Sequence, residues 1–498
     1  MKFLRSILIL SITIFLLSCS NQNNKQKPNI IFFLVDDMGW QETSVPFHSE
    51  PTELNRRYHT PNMEKMASAG MKFTQAYACA VCSPTRISLM TGMNSARHMV
   101  TNWTLRKNVS PDWKNPIVTS PDWNLNGISA VEGIENTKHV VTLPMLLKEE
   151  GYTTIHVGKA HFGAQGTPGE DPKNLGFDIN IAGHAAGGPG SYYGKNNFSA
   201  DFRNGDRIWD IPGLEKYHGT DIYLTEALTI EANKAMDNAV ALEKPFYLYM
   251  SHYAIHAPWE KDFRFFEKYK EAGLNDFRAS YASMVESMDK SLGDIIANVE
   301  KNRIEDNTIL IFMSDNGQPS NTDRNLPLRG HKLTPYEGGI RVPMLVDWPG
   351  ITEPGSESDN YLIIEDIFPS ILELAGIEEF EQIGGAIDGQ SFVPFLMGEY
   401  LEKQERPIFW HYPNTYDQPP YSTVRKGDWK LIYHHADQKL ELFNIPEDIS
   451  EKNNLVSEEL DKLDEMISIL SSFLRETGAL MPIDNSSNKP VPYPDGKW

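Results

Sequence analysis

Cysteine is scarce in this chain: three in 498 residues, at positions 19, 79 and 82. No disulfide framework can be built from so few. Basic charge is also short. Lys and Arg number 46 against 67 Asp and Glu, a net charge of −21, or −23 without Lys2 and Arg5. Such a chain does not capture nucleic acid or other polyanions through its overall field. An anionic ligand has to be met by local cations. Low-complexity tracts are missing, which excludes a fibrous or disordered class. Long apolar runs are missing too, apart from residues 7–17, which are too few to span a bilayer. No Cys/His cluster carries the spacing of a structural zinc site.

What is present begins with an export signal. Lys2 and Arg5 precede the apolar run, which ends Leu16-Leu17-Ser18-Cys19. That ending resembles a bacterial lipobox and implies cleavage before Cys19, lipidation of that residue and a polar tether. An ordinary secretory signal with a chance cysteine is the alternative. The expected divisions are a signal at 1–18, a tether at 19–27, a large α/β domain at 28–400, a smaller α+β subdomain at 401–478 and an extended tail at 479–498. The expected location is periplasmic or cell-surface, with the membrane reached only through the lipid on Cys19.

Apolar runs at 29–35, 153–157, 246–250, 308–313 and 342–346 predict buried strands, and amphipathic stretches at 223–241 and 281–301 predict helices between them. The alternation implies an α/β fold with a large, mostly parallel sheet flanked by helices. From about residue 406 the texture changes. Short strands at 408–412, 422–425, 429–433 and 441–444 predict a smaller antiparallel sheet, followed by a helix at 457–476 whose apolar face carries Leu460, Leu463, Ile467, Leu470 and Leu474.

The densest local signal is Cys82-Ser83-Pro84-Thr85-Arg86 with Met90-Thr91-Gly92 behind it. Ser83 suits an N-cap and Pro84 a first helical position, which puts Cys82 at a helix N-terminus, where backbone N–H groups favour an anion. A buried cysteine beside a helix cap is the plain reading. A redox C-x-x-C from Cys79 to Cys82 fits badly, because the second cysteine heads the Pro-Thr-Arg helix of a far larger chain. Asp36 and Asp37 follow one predicted strand, and Asp315 and Asn316 follow another. Oxygen ligands at two strand ends suit a hard cation such as Ca²⁺ or Mg²⁺, although Asp and Asn are also common turn residues.

The Cys82 block resembles the sulfatase signature C-x-P-[ST]-R with a Thr-Gly further on. The segment 151–163, Gly-Tyr-Thr-Thr-Ile-His-Val-Gly-Lys-Ala-His-Phe-Gly, resembles a second block of that family, with Ala160 where Trp is usual. Ala254-Ile255-His256-Ala257-Pro258 resembles a third, with Ile255 in place of a usual Pro; His252 is a rival with poorer spacing. Leu328-Arg329-Gly330-His331-Lys332, then Tyr336-Glu337-Gly338-Gly339-Ile340-Arg341, resembles a fourth. The likeness spans about 28–398 and extends loosely to Arg425-Lys426-Gly427-Asp428-Trp429-Lys430-Leu431.

The resemblance implies that Cys82 is oxidised to formylglycine by a maturation enzyme, and that Asp36, Asp37, Asp315 and Asn316 hold Ca²⁺, more than Mg²⁺, with residue 82 completing the set. It implies roles for Arg86 in orienting the hydrated aldehyde, Lys159 and Lys332 on sulfate, His256 as acid to the leaving oxygen and His161 as base on the hydrate. The expected activity is hydrolysis of sulfate monoesters, with a sulfated carbohydrate as substrate. A phosphonate or phosphodiester hydrolase of the same alkaline phosphatase superfamily is the neighbouring alternative. A non-catalytic surface glycan-binding lipoprotein is the alternative of another class. Two near-repeats, Ser110-Pro111-Asp112-Trp113 and Ser120-Pro121-Asp122-Trp123, lie near Trp103 and suit either sugar stacking or two packed turns. The Gly- and aromatic-rich segment 183–197, with His411 and Tyr412, is the other candidate for sugar selection.

Overall fold

The computed structural model describes residues 27–377, 386–399 and 404–498. The expected signal, Cys19 and the expected 400/401 boundary lie outside the described residues.

A nine-stranded sheet forms the centre of the large unit. Its strands are β1 (Asn29–Val35), β2 (Met71–Tyr77), β3 (Thr153–Gly158), β4 (Ile179–Ile181), β5 (Phe246–Ser251), β6 (Thr308–Ser314), β7 (Arg341–Asp347), β8 (Ser356–Ser358) and β9 (Leu362–Ile363). The order across the sheet is β8-β2-β7-β6-β1-β5-β3-β4, with β9 also on β2. Every pairing is parallel except those of β7, which runs against both β2 and β6. The mostly parallel expectation holds.

Strand β1 shows why an uninterrupted apolar run was needed. Ile30, Phe32 and Leu34 enter one core, while Ile31, Phe33 and Val35 enter the other. Side chains alternate across a strand, so a strand covered on both faces must be apolar at every position. The second core is closed by α2 (Leu224–Ala241) and α3 (Asp276–Asn302). The first is closed by the signature helix, α1 (Cys82–Thr91), and later segments.

The C-terminal unit is a four-stranded antiparallel meander, β10 (Ile408–Tyr412), β11 (Tyr421–Lys426), β12 (Trp429–His434) and β13 (Leu440–Asn444), covered by α4 (Leu460–Thr477). Val424, Leu431 and Leu442 meet Met466, Leu470 and Leu474. Leu460, expected on the buried face, is exposed because it is the first residue of α4. The last residues do not extend as an arm. Asp484 accepts hydrogen bonds from Ser486 and Ser487 and turns the chain into a hairpin that pairs with Val118–Thr119, and Arg475 ties down Asp495 at 2.6 Å.

The RKGDWKL segment docks this unit. Lys430, fully buried, reaches Glu337 at 2.9 Å and Glu451 at 2.8 Å. Arg425 donates to Tyr77 Oη and Gln75, and Trp410 Nε1 donates to the Ala78 carbonyl at 2.8 Å. The small sheet is therefore fixed beside the loop that leads into α1.

Candidate active site

Parallel strands point their carboxyl ends the same way, and four neighbours deliver functional groups there. β6 ends into Asp315 and Asn316, β1 into Asp36 and Asp37, β5 into the loop carrying His256, and β3 into Lys159 and His161. β2 leads to Cys82 at the same edge, and the loop before antiparallel β7 brings Lys332. This is the crevice where open α/β sheets bind ligands.

Helix α1 begins earlier than expected. Val81 is its N-cap, without a side-chain hydrogen bond, and Cys82 is its first residue. Ser83 does not cap: its hydroxyl accepts from the Thr104 N–H at 3.3 Å. Pro84 remains inside the first turn, where no intrahelical donor is lost. Thr85 bonds the Asp315 carbonyl at 2.7 Å and joins the helix to the end of β6. Cys82 is 4% exposed, with its thiol raised by burial and drawn back by Lys159 and Lys332. Both lysines therefore act electrostatically on residue 82.

Asp36, Asp37 and Asp315 present carboxylate oxygens within 4.8 Å of one another, all buried. Burial, with Asp315 and Asp37 adding like charge, raises Asp36 above the usual carboxylate range. Asp37 moves the other way: burial alone would raise it, but Lys332 and His256 outweigh that. Two buried oxygens of these residues, Asp36 Oδ1 and Asn316 Oδ1, have no hydrogen-bond partner. The Asn316 amide nitrogen donates to Asp37 at 2.7 Å and to the Gly317 carbonyl at 2.9 Å, while its oxygen stays without a partner. Acid-rich, oxygen-only and with orphan acceptors, this set fits a hard divalent cation.

Cations surround the cluster. Lys159 Nζ lies 2.6 Å from Asp36, and Lys332 Nζ donates to Asp37. Burial works against the Lys332 charge, yet Asp37 and other nearby acids hold it above the usual lysine range. Arg86, fully buried, donates to Asp315 at 2.7 and 3.1 Å, to the Lys159 carbonyl at 3.1 Å and to Ser251.

His161 Nε2 is 2.8 Å from the Thr104 carbonyl. A carbonyl only accepts, so the neutral ring carries its proton on Nε2 and leaves Nδ1 with a lone pair and no partner. His256 has the opposite tautomer. Its Nδ1 donates to the Ala257 carbonyl at 2.9 Å, and its Nε2 lies 3.8 Å from Asp37. Burial pushes His256 down to about 4 against the pull of Asp37, and burial with Lys159 and Arg86 holds His161 well below the imidazole range. His252 points away, to Ser291 at 2.9 Å.

A pocket of about 340 Å³ opens over this group. Cys82, Asp37, His161, His256 and Lys332 line its floor, and Trp103, Trp209, Trp259 and Tyr416 its walls. Lys159 and Arg86 lie beneath. Sequence reasoning missed Trp209, Trp259 and Tyr416, whose only signal was aromatic richness, and Asp417, which had none. Of the loop 183–197, Gly187 reaches the pocket. His411 and Tyr412 do not: His411 is tied to Ser422 and the Leu480 carbonyl, and Tyr412 to the Tyr416 carbonyl. Ala160 is buried in the first core and opens no space in the pocket. The two near-repeats meet each other, since Trp123 Nε1 donates to Asp112 at 3.1 Å, while exposed Trp113 stands edge-on to Tyr416 at 5.2 Å.

Residues 28–377 match the family model described as Sulfatase, and residues 331–477 match the one described as N-sulphoglucosamine sulphohydrolase, C-terminal. A Sulfatase of Formosa agariphila is 29% identical over 99% of this chain and 98% of its own length. The N-acetylgalactosamine-6-sulfatase of Canis lupus familiaris is 32% identical over 78% of this chain and 69% of its own. The crystal structure of Ps i-CgsB in complex with k-i-k-neocarrahexaose superposes with a TM-score of 0.73 and 27% identity, covering 90% of this chain and 93% of that one.

Proposed function

This chain belongs to the sulfatase family, and from that premise we propose that it removes sulfate from a sulfated carbohydrate using formylglycine made from Cys82. The observation that carries the reading is the pocket itself: Cys82 lines it with two histidines of opposite tautomer, among aromatic side chains. Aromatic rings beside polar groups suit the faces of sugar rings. Ps i-CgsB is seen with a neocarrahexaose, and the dog relative is named for N-acetylgalactosamine 6-sulfate, which supports a carbohydrate ester.

Formylglycine at position 82 would supply a hydrated aldehyde, with one hydroxyl to attack sulfur and a second whose proton, once removed, lets sulfate leave. Asp36, Asp37, Asp315 and Asn316 would hold Ca²⁺, which would draw charge from a sulfonyl oxygen. Lys332, on the pocket floor, neutralises a further oxygen. Lys159 and Arg86 lie one layer below. They balance Asp36 and Asp315, fix both carboxylates and add positive potential under the ester. An arriving sulfate anion raises the proton affinity of His256, and the ring, once protonated at Nε2 as well, gives that proton to the leaving oxygen. His161 Nδ1, the free acceptor, takes the proton of the second hydroxyl.

Residues 1–26 supply the rest of the proposal: an exported lipoprotein held at Cys19, as the lipobox-like Leu16-Leu17-Ser18-Cys19 suggests. No helix among the described residues is long and apolar enough to cross a membrane.

Peptide mass spectrometry across Cys82, on protein matured with a formylglycine-generating enzyme, tests the reading alongside sulfate release from a panel of sulfated sugars. The expected result is an aldehyde at 82 and release. Cys82→Ser has one hydroxyl and should lose turnover by about 10³-fold or more. Ordinary turnover by that variant would remove the mechanism. Hydrolysis of a phosphonate ester or a phosphodiester in place of a sulfate ester would move the substrate to the neighbouring class.

A further inference from the structure

A second cavity, of about 850 Å³, opens beside the first. The two share Pro319 and Ser320 in their walls. Consecutive residues serve both, with Lys332 lining the first and His331 the second. Each volume falls in the range of roughly 300–1,000 Å³ usual for ligand sites.

The second cavity is lined by Arg324, Arg329, His331 and Lys452, with Tyr336 and Gln418. Arg329 is built into its wall. Its guanidinium stacks 3.7 Å over the Tyr336 ring, donates to Tyr336 Oη and the Glu451 carbonyl at 2.9 Å each, and has Glu441 at 3.6 Å. His331 Nδ1 donates to the Lys332 carbonyl at 2.8 Å, and its Nε2 has no partner among the described residues. Arg324 and Lys452 have no ion-pair partner among the described residues either. In a chain with 67 acids to 46 Lys and Arg, most cations find a carboxylate. Two exposed cations without one, Arg324 and Lys452, line a single cavity that shares a wall with the sulfate pocket.

We infer that this cavity binds a second anionic group, a sulfate or carboxylate, on a sugar adjoining the one whose ester lies over Cys82. The inference rests on the carbohydrate reading and deepens it: the substrate is an oligo- or polysaccharide with anionic groups on neighbouring sugars. Lys332 addresses the ester that is cleaved. Arg324, Lys452 and the fixed Arg329 hold the chain through a group that is kept.

The test is binding of dextran sulfate by the whole chain, measured calorimetrically across a salt series. The Arg324→Ala/Lys452→Ala double variant should raise the Kd by about tenfold and flatten the salt slope by about two units, one for each cation removed. A control double variant, Lys173→Ala/Lys489→Ala, removes the same charge from exposed lysines that line neither cavity and should change neither. Arg324→Gln/Lys452→Gln, checked for a wild-type melting temperature, repeats the test with side chains retained. Unchanged affinity in both groove variants, or equal weakening in the control, overturns the inference. Sulfate release from a monosaccharide sulfate separates the two readings. If the wild type releases sulfate and the groove variants bind as it does, the second site falls alone. If no sulfated sugar is turned over while binding still depends on Arg324 and Lys452, the hydrolytic reading falls and the site stands.

Discussion

Gly187 lies flat against the imidazole of His161, so close that a Cβ on it would stand 2.4 Å from Cε1. The next residue, Gly188, does the same to His256, with a Cβ position 2.8 Å from Nδ1. Both histidines proposed to move protons are thus backed by one Gly-Gly step in the loop 183–197. Neither glycine has a positive φ. The requirement is space, not backbone conformation.

Gly187→Ala should therefore displace His161 while the fold survives. A misplacement near 1 Å costs about 10²-fold in proton-transfer chemistry. The expected result is kcat lowered by about 10- to 100-fold, an unchanged circular dichroism spectrum, and a smaller change in KM. A variant with wild-type kcat would show that the His161 ring is free to move.

The orphan oxygens of Asp36 and Asn316 predict metal dependence. Chelation with EGTA should abolish sulfate release, and Ca²⁺ should restore it. Ca²⁺ at 100 times its Kd should also stabilise the fold by about 2.7 kcal/mol, read as a rise in melting temperature that Asp315→Asn loses. An unmoved melting temperature in the wild type would count against a cation site here.

Glu365 is buried beside α1, with one oxygen accepting from Asn94 at 2.7 Å and the other without a partner. Burial, with Asp366 and Asp388 nearby, pushes it up to about 8. The folded chain therefore keeps a proton that the unfolded chain gives up above its ordinary value of 4.5. Stability from this group is full below that value and is lost as pH rises towards 8, at up to roughly 1.4 kcal/mol per pH unit. Glu365→Gln should flatten that loss in urea titrations between pH 5 and 8. A parallel pH dependence in variant and wild type would exclude it.

Lys430 stands between Glu337 and Glu451 with no exposed surface. Lys430→Met should leave two buried carboxylates short of their cation and cost about 3–5 kcal/mol in denaturant unfolding. Loss of less than about 1 kcal/mol would show that the corner relaxes or hydrates.

The large fold could be read from the chain because its central strands are apolar at every position and because Asp and Asn cluster where those strands end. The local pattern marked Asp36, Asp37, Asp315 and Asn316 as strand-end residues, the resemblance joined them into one set, and Asp36, Asp37 and Asp315 do come together. Trp209, Trp259, Tyr416 and Asp417 needed the tertiary fold, since nothing in their own neighbourhoods says they meet over Cys82. The start of α1 was misjudged for a related reason. Ser83 has the side chain of a cap, but the Thr104 amide, 21 residues on, claims its hydroxyl. His411 and Tyr412 lie in a strand whose side chains serve the small sheet, while the turn after it supplies the pocket.

The bond between Lys430 and Glu337 also orders events in time. Glu337 follows the Lys332 loop by five residues and comes off the ribosome long before its partner. Until Lys430 is synthesised, that carboxylate has Arg341, at 3.4 Å, as its ion-pair partner among the described residues. A nascent chain stopped between Lys332 and β12 holds every residue of the pocket floor yet lacks the clasp that closes the corner beside it. The small C-terminal sheet thus supplies last what the corner beside the pocket needs: the cation for Glu337 and Glu451 arrives only with β12.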